Sequence, residues 1–268
     1  MSVSVRSSSQ LSRADLAALF TAAYQGYFVP FAVDEATFGF MVEVFDLDLT
    51  ESLVAVDDRG PVGLANLGRR GRRTWLGGVG VVPERRRQGI GEVLTRELVE
   101  RARALGADEM VLEVIVENEP AIGLYEKLGF VRVRELEVLS VAASASGNAE
   151  AEDVPVAAAR SIVRARRLDA EPWQRDDDTV DRLVAREPSL QGIVSGDSAA
   201  VYRITAQNVG LVQAAGSAGG LRAILSALSA KGTVSAVNYP SGDAVAQALH
   251  VAGADVMLRQ YEMVKRLD

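Results

Sequence analysis

Arginine, glycine and a helix start meet in the stretch VGVVPERRRQGIGEVL, Val79 to Leu94. A strand that runs into a glycine turn and on into a helix aims several backbone N–H groups and the positive end of the helix dipole at one point, which suits phosphate. Glycine lets the anion approach the backbone closely. The dinucleotide turn G-x-G-x-x-G would need a third glycine where Leu94 stands, and the Walker turn would need Gly-Lys followed by Ser or Thr, which is absent. What remains is R-x-x-G-x-G, Arg86 to Gly91, directly after Val81, Val82 and Pro83.

That pattern resembles the coenzyme A pyrophosphate loop of the GNAT acyltransferase superfamily. Downstream, LEVIVENEPAIGLYEKLGF, Leu112 to Phe130, resembles the second signature of that superfamily, with Asn118 and Tyr125 seven residues apart and one helix and one strand between it and the loop. The segments YFVPF, ENEPAIGLY and the terminal RQYEM, Arg259 to Met263, resemble a subgroup of two-domain bacterial GNAT proteins whose C-terminal half is a diverged second copy of the fold. The resemblance implies acetyl-CoA as acyl donor and no metal. It implies that Val79, Gly80 and Val81 present backbone groups to the pantetheine arm, and that Arg86, Arg87, Gln88, Gly89, Ile90 and Gly91 wrap the pyrophosphate. It further implies that Asn118 hydrogen-bonds the cofactor arm, that Tyr125 sits near sulfur as proton donor, and that Glu113 matches the carboxylate that deprotonates the incoming amine.

These residue types suit direct transfer in a ternary complex. An amine attacks only when neutral, so a base is needed, and the departing thiolate needs a proton that a tyrosine with a pKa near about 10 can give at neutral pH. Orientation of two bound substrates is worth as much as about 7 to 11 kcal/mol. The expected function is N-acetyl transfer to a primary amine of a small molecule, amino acid or peptide; a non-catalytic acyl-CoA-binding sensor or scaffold is the alternative.

Each residue also has a plainer role open to it. Arg69 to Arg73, RRGRR, suits a solvated hairpin end. Tyr125 could pack on an apolar helix face, Glu113 could face water, and Tyr24, Tyr27, Phe28 and Phe31 could be core or could line the acceptor pocket. His250, the single histidine, suits a surface or capping role.

Composition narrows the field. With 268 residues, 48% of them hydrophobic, the chain can fill one large core or two ordinary ones. A net charge of −7 argues against a general nucleic-acid or membrane-surface binder. Without cysteine there is no disulfide, thiolate nucleophile or thiolate metal site. No signal-like run or apolar span of about eighteen residues stands out, so a cytoplasmic protein is expected, with a homodimer left open.

The elements that must position these residues follow from spacing. SRADLAALFTAAYQGY suits a helix capped by Ser12, and ATFGFMVEVFDLDL a second. A hairpin turns at Asp57-Asp58-Arg59-Gly60, and TWLGGVGVV is a further strand. A helix then closes at Gly106, and strand EMVLEVIV, helix EPAIGLYEKLG and strand FVRVRELEVLSV complete an α/β (α+β) domain with a mostly antiparallel sheet flanked by helices. Small and acidic residues suggest a linker at 142–160 between a GNAT domain at 1–141 and a degenerate GNAT-like domain at 161–268. In the second half three short strands, a helix, a strand, a helix and a last strand are expected. Laying Gly129 over Gly253, an offset of 124 residues, puts apolar positions in phase, Tyr125 on Leu249 and Asn118 on Gly242. AAGSAGGLRAIL keeps turn glycines but lacks a preceding arginine, so one cofactor per chain is expected, in the first half.

Overall fold

The computed structural model describes residues 3–30, 32–144, 150–168 and 170–267. The elements are β1 (Ser4–Ser7), α1 (Arg13–Ala23), α2 (Glu35–Val44), β2 (Leu53–Asp57), β3 (Gly60–Arg70), β4 (Arg73–Val81), α3 (Ile90–Ala104), β5 (Glu109–Ile115), α4 (Glu119–Lys127) and β6 (Val131–Val141). They continue with β7 (Glu152–Val154), α5 (Val156–Arg166), α6 (Asp177–Arg186), β8 (Gln191–Ser195), β9 (Ser198–Thr205), β10 (Asn208–Ala215), α7 (Ala218–Ser229), β11 (Thr233–Pro240), α8 (Ala244–Val251) and β12 (Asp255–Arg266). This is the expected α/β class with a mostly antiparallel sheet.

The chain divides differently from the expected boundaries. One compact unit is Met1–Val133 with Glu262–Asp268, and the other is Arg134–Tyr261. The stretch 142–160 forms β7 and the start of α5, apart from 145–149, which lie outside the described residues. Its alanines are good helix formers rather than linker filler, and α5 buries Ala159, Arg160 and Val163. Arg160 is ion-paired with Asp181 and Asp177, which lets it be buried. Helix α6, capped by Asp176, was also unforeseen.

In the first unit the strands lie in the order β1-β2-β3-β4-β5, followed by the 262–266 stretch of β12. Ser12 caps α1 by accepting from Asp15 N–H at 3.1 Å, as expected. Phe20, Ala23, Phe38 and Leu64 join one core, which puts α1 and α2 on one face of the sheet. Helix α3 covers the other face with Ile90, Leu94, Leu98 and Ala102, a spacing of four that makes one apolar stripe. Antiparallel pairing of β3 with β4 continues to Gly63↔Val81. Parallel pairing of β4 with β5 covers only Arg73↔Glu109 to Trp75↔Val111. Beyond Trp75 the two strands run on unpaired with each other, so the sheet opens between them.

The second unit orders its strands as the 255–261 stretch of β12, then β6-β11-β10-β9-β8-β7. Its parallel pair, β10 with β11, also stops early, at Leu211↔Ala236. Gly253 ends α8 at φ +82° as Gly129 ends α4 at φ +87°, the left-handed closure that glycine permits.

Candidate active site

Two left-handed residues shape the turn between β4 and α3: Arg87 at φ +59° and Gly89 at φ +80°. A Cβ on Gly89 would meet nothing within 4 Å, so glycine is needed there for its backbone angle alone. Gly89 is the N-cap of α3 and no side chain accepts from the first turn. The opening N–H groups of α3 therefore lack an intrahelical acceptor and point out of the helix end. Exposed Arg87 and Gln88 flank them. A non-glycine residue at positive φ costs about 1 to 3 kcal/mol and persists where its surroundings impose it.

The other two arginines of the run are engaged within the protein. Arg85 pairs with Asp57 at 3.2 Å. Arg86 donates to three backbone carbonyls, Val81 O at 3.0 Å, Ala23 O at 3.1 Å and Gln25 O at 2.6 Å. Two of these acceptors end α1 or follow it, where carbonyls lack helical partners. The guanidinium of Arg86 thus ties the turn to the end of α1, and Arg87 is the arginine left at the turn's outer surface.

Strand β4 carries its glycines where α1 lies against it. A Cβ on Gly78, itself at φ +125°, would stand 2.7 Å from Tyr24 Oη, and one on Gly80 would stand 2.8 Å from Ala23 Cβ. Phe20 and Tyr24 stack at 4.5 Å, Tyr27 meets Tyr24 edge-on at 5.1 Å, and exposed Phe28 meets Tyr27 at 5.4 Å. Thr21 closes the loop that follows by bonding both the N–H and the carbonyl of Val33. Phe31 lies outside the described residues.

Asn118 is the N-cap of α4, accepting from Ala121 N–H at 3.4 Å. Burial raises the Tyr27 phenol above its usual range, and the nearby Asn118 amide partly offsets that rise. Tyr125, on the same helix and 7% exposed, packs on Phe130 at 5.8 Å. Burial, and then the neighbouring Tyr27 phenol, hold the Tyr125 hydroxyl well above the ordinary range for a phenol. Tyr24 is raised in the same way by burial and then by Tyr27 and Tyr125, so the three rings share one region. Next to Tyr125 on α4, Leu124 stands 4.0 Å from the Cβ position of Gly91, as does Val79, bringing α4, the start of α3 and the end of β4 together. Glu113 lies on β5 two residues past the last β4 pairing, half-buried, with Oε2 accepting from Trp75 Nε1 at 2.7 Å.

The acetyltransferase (GNAT) family matches residues 15–130. Across 115 residues the chain is 30% identical to an N-alpha-acetyltransferase of Saccharolobus solfataricus, covering 42% of this chain and 69% of that one. This chain belongs to the GNAT acetyltransferase family. It is also 41% identical over 64 residues to N-alpha-acetyltransferase 30 of Schizosaccharomyces pombe, 24% of this chain and 43% of the relative. The matched part spans less than half the length of that relative and of the N-alpha-acetyltransferase 30 of Dictyostelium discoideum. A GCN5-related N-acetyltransferase of Sphaerobacter thermophilus shares the fold with a TM-score of 0.72 at 17% identity, over 99% of this chain and 96% of that one. A tandem GNAT protein from the clavulanic acid biosynthesis pathway does so with a TM-score of 0.64 at 14% identity, over 100% and 99%.

Against that family, the second unit differs at its own strand-to-helix turn. Ser217 caps α7, and Asp197 hydrogen-bonds Ser217, which holds its carboxyl below the usual range. An internal carboxylate therefore sits at the helix end where a phosphate would go. A Cβ on Gly216 or Gly220 would collide with Ser198, so the turn is closed down on the β8–β9 hairpin. His250 pairs with buried Glu137 at 2.7 Å. The RRGRR hairpin end is ion-paired, Arg70 with Asp46 at 2.7 Å and Arg73 with Glu109 at 3.3 Å. Among the described residues no group of three or more metal-ligating side chains occurs, and no helix is long and apolar enough to cross a membrane. Reading the sequence missed Trp75 as the partner of Glu113, since no local spacing links residues on separate strands.

Proposed function

We propose that this GNAT protein transfers an acetyl group from acetyl-CoA to a primary amine of a small molecule, amino acid or peptide, by direct attack within a ternary complex. One observation carries the proposal: the opening between β4 and β5 beyond Trp75 has the uncapped start of α3 at its β4 end with Leu124 of α4 against it, the neighbouring Tyr125 grouped with Tyr24 and Tyr27, and Glu113 on its β5 side.

Acetyl-CoA, when bound, supplies an acyl group already activated as a thioester. The N–H groups of residues 88–91 and the Arg87 guanidinium suit its pyrophosphate, and the unpaired edge of Val79, Gly80 and Val81 suits an extended amide-bearing arm. Glu113 takes the proton that the acceptor ammonium must lose. Tyr125 keeps its proton through neutral pH and gives it to the departing sulfur. Tyr24, Tyr27 and Phe28 form the wall against which the acceptor is placed. Asn118 caps α4 close to Tyr27, a place that sits beside the cofactor contact implied by family resemblance. N-terminal and ribosomal-protein acetyltransferases among the relatives make peptide amines reasonable first acceptors.

A screen of amines and N-terminal peptides for thiol release tests this, and a chain without cysteine contributes no background thiol. Tyr125→Phe should keep melting temperature and cofactor affinity while the single-turnover rate falls about 10²-fold or more. A single-turnover rate within twofold of wild type would remove Tyr125 as the acid. Coenzyme A binding without turnover across the screen would favour the sensor alternative.

A further inference from the structure

The base assigned above does not stand alone. Glu113 is 38 residues from Trp75 in sequence, yet the indole N–H meets its Oε2 at 2.7 Å, the short range of a hydrogen bond to a charged acceptor. The indole is itself fixed. A Cβ on Gly77 would stand 2.6 Å from Trp75 Cζ3, so only glycine leaves room for the ring, and Phe45 closes its other side edge-on at 5.7 Å. Trp75 is also the last residue of β4 paired with β5, so it occupies the apex from which the opening widens toward Val81 and Ile115.

We propose that Trp75 is a positioning residue for acetyl transfer: its indole holds the Glu113 carboxylate in one orientation at the apex of the β4–β5 opening, and Gly77 is the vacancy that lets it do so. Other charged groups share that face. Arg73 lies 3.3 Å from Glu109 and 4.0 Å from Glu262. Residues Glu109 and Glu113 are on one side of β5 by strand alternation. Leu267 N–H bonds Asp108 O and Arg266 pairs with Glu109, which sets β12 antiparallel beside β5 and turns Glu262 to the same side. With carboxylates and a guanidinium so close, a mobile Glu113 would have competing partners. The indole donor, neutral and rigid, selects one arrangement.

This inference rests on Glu113 as the base, and two readouts keep it separable from that assignment. The chain has two tryptophans, Trp75 and Trp173, so its indole ¹H–¹⁵N spectrum has two side-chain resonances, and Trp75→Phe assigns them. In Glu113→Gln the Trp75 resonance should move and the Trp173 resonance should stay. Kinetically, Trp75→Phe should lower kcat about tenfold or more with the KM for acetyl-CoA within twofold, the scale of one lost charge-assisted hydrogen bond. Should Trp75→Phe fold poorly, Gly77→Ala displaces the ring while retaining the donor, and should give the same split. An unmoved Trp75 resonance in Glu113→Gln would refute the hydrogen bond. Impaired turnover in Glu113→Gln with unimpaired Trp75→Phe and Gly77→Ala would refute the positioning role alone, and wild-type turnover in Glu113→Gln would refute the base and this inference with it.

Discussion

Substituting Arg86 and Arg87 one at a time separates a side chain that ties the β4–α3 turn to α1 from one proposed to meet the pyrophosphate. Arg86→Ala removes three hydrogen bonds of 2.6 to 3.1 Å to Val81, Ala23 and Gln25. A charged donor to a carbonyl contributes about 1.5 to 3 kcal/mol when buried, but Arg86 is an exposed residue, so water replaces much of what is lost and about 1 to 2 kcal/mol in total is expected. For a chain of this size that is a fall of about 2 to 8 °C in Tm. Because the turn's shape is altered, coenzyme A and a pantetheine fragment without pyrophosphate should weaken together. Arg87→Ala removes no such tie, and replacement in the left-handed region leaves the backbone requirement as it was. Its Tm should stay within about 1 °C of wild type, while coenzyme A binding weakens about tenfold, near 1.4 kcal/mol, and pantetheine binding is unchanged. Differential scanning fluorimetry and calorimetric titration of both ligands give the four numbers. Arg86→Ala with wild-type Tm and a loss confined to coenzyme A would show that its guanidinium leaves α1 for the pyrophosphate, and would refute this division of labour between the two arginines.

Gly80→Ala should destabilise by about 1 to 3 kcal/mol in denaturant titration, because its methyl would press on Ala23 and Tyr24 across a packed contact; an unchanged midpoint would mean α1 can retreat from β4 freely. Calorimetry should find one coenzyme A per chain, since Asp197 and Ser198 fill the counterpart turn of the second unit; two sites of similar affinity would contradict this. Burial raises the phenols of Tyr24, Tyr125 and Tyr239 in the folded state. The fold then holds protons that the unfolded chain releases above about pH 10, so stability should be fully present below that pH and fall as pH rises beyond it. Tyr125→Phe should flatten that decline of Tm, and an identical slope would show that its phenol does not contribute.

The shape of the β4–α3 turn was legible because its determinants are local: glycine, arginine and helix start are adjacent in sequence. The α1 cap at Ser12, the α3 stripe and the hairpin at Asp57 to Gly60 were legible for the same reason. Side-chain destinations were not. Whether an arginine meets solvent, a ligand or a carbonyl 61 residues away depends on which helix end lies beside it, and Arg86 reaching Gln25 has no sequence signature. Within TWLGGVGV, nothing local tells that Gly77 makes room for the Trp75 ring while Gly78 and Gly80 make room for α1, because those neighbours are set by packing between separate elements. Alanine-rich 156–160 suggested a spacer because its partners, Asp177 and Asp181, come later in the chain.

Residues 262–268 belong to the same compact unit as the first 133, and the intervening 128 form the other. During synthesis, therefore, β5 has to wait for a strand that the ribosome makes about 150 residues later, with the other unit emerging in between. At about 5 to 20 residues per second the delay is of the order of ten seconds, long enough for chaperones to engage an edge whose partner has not been made. Closing a loop of that length also belongs to the slow, high-contact-order regime of folding. The first unit is thus predicted to become native only after translation has passed residue 262, whether or not its β4–α3 turn has formed before then.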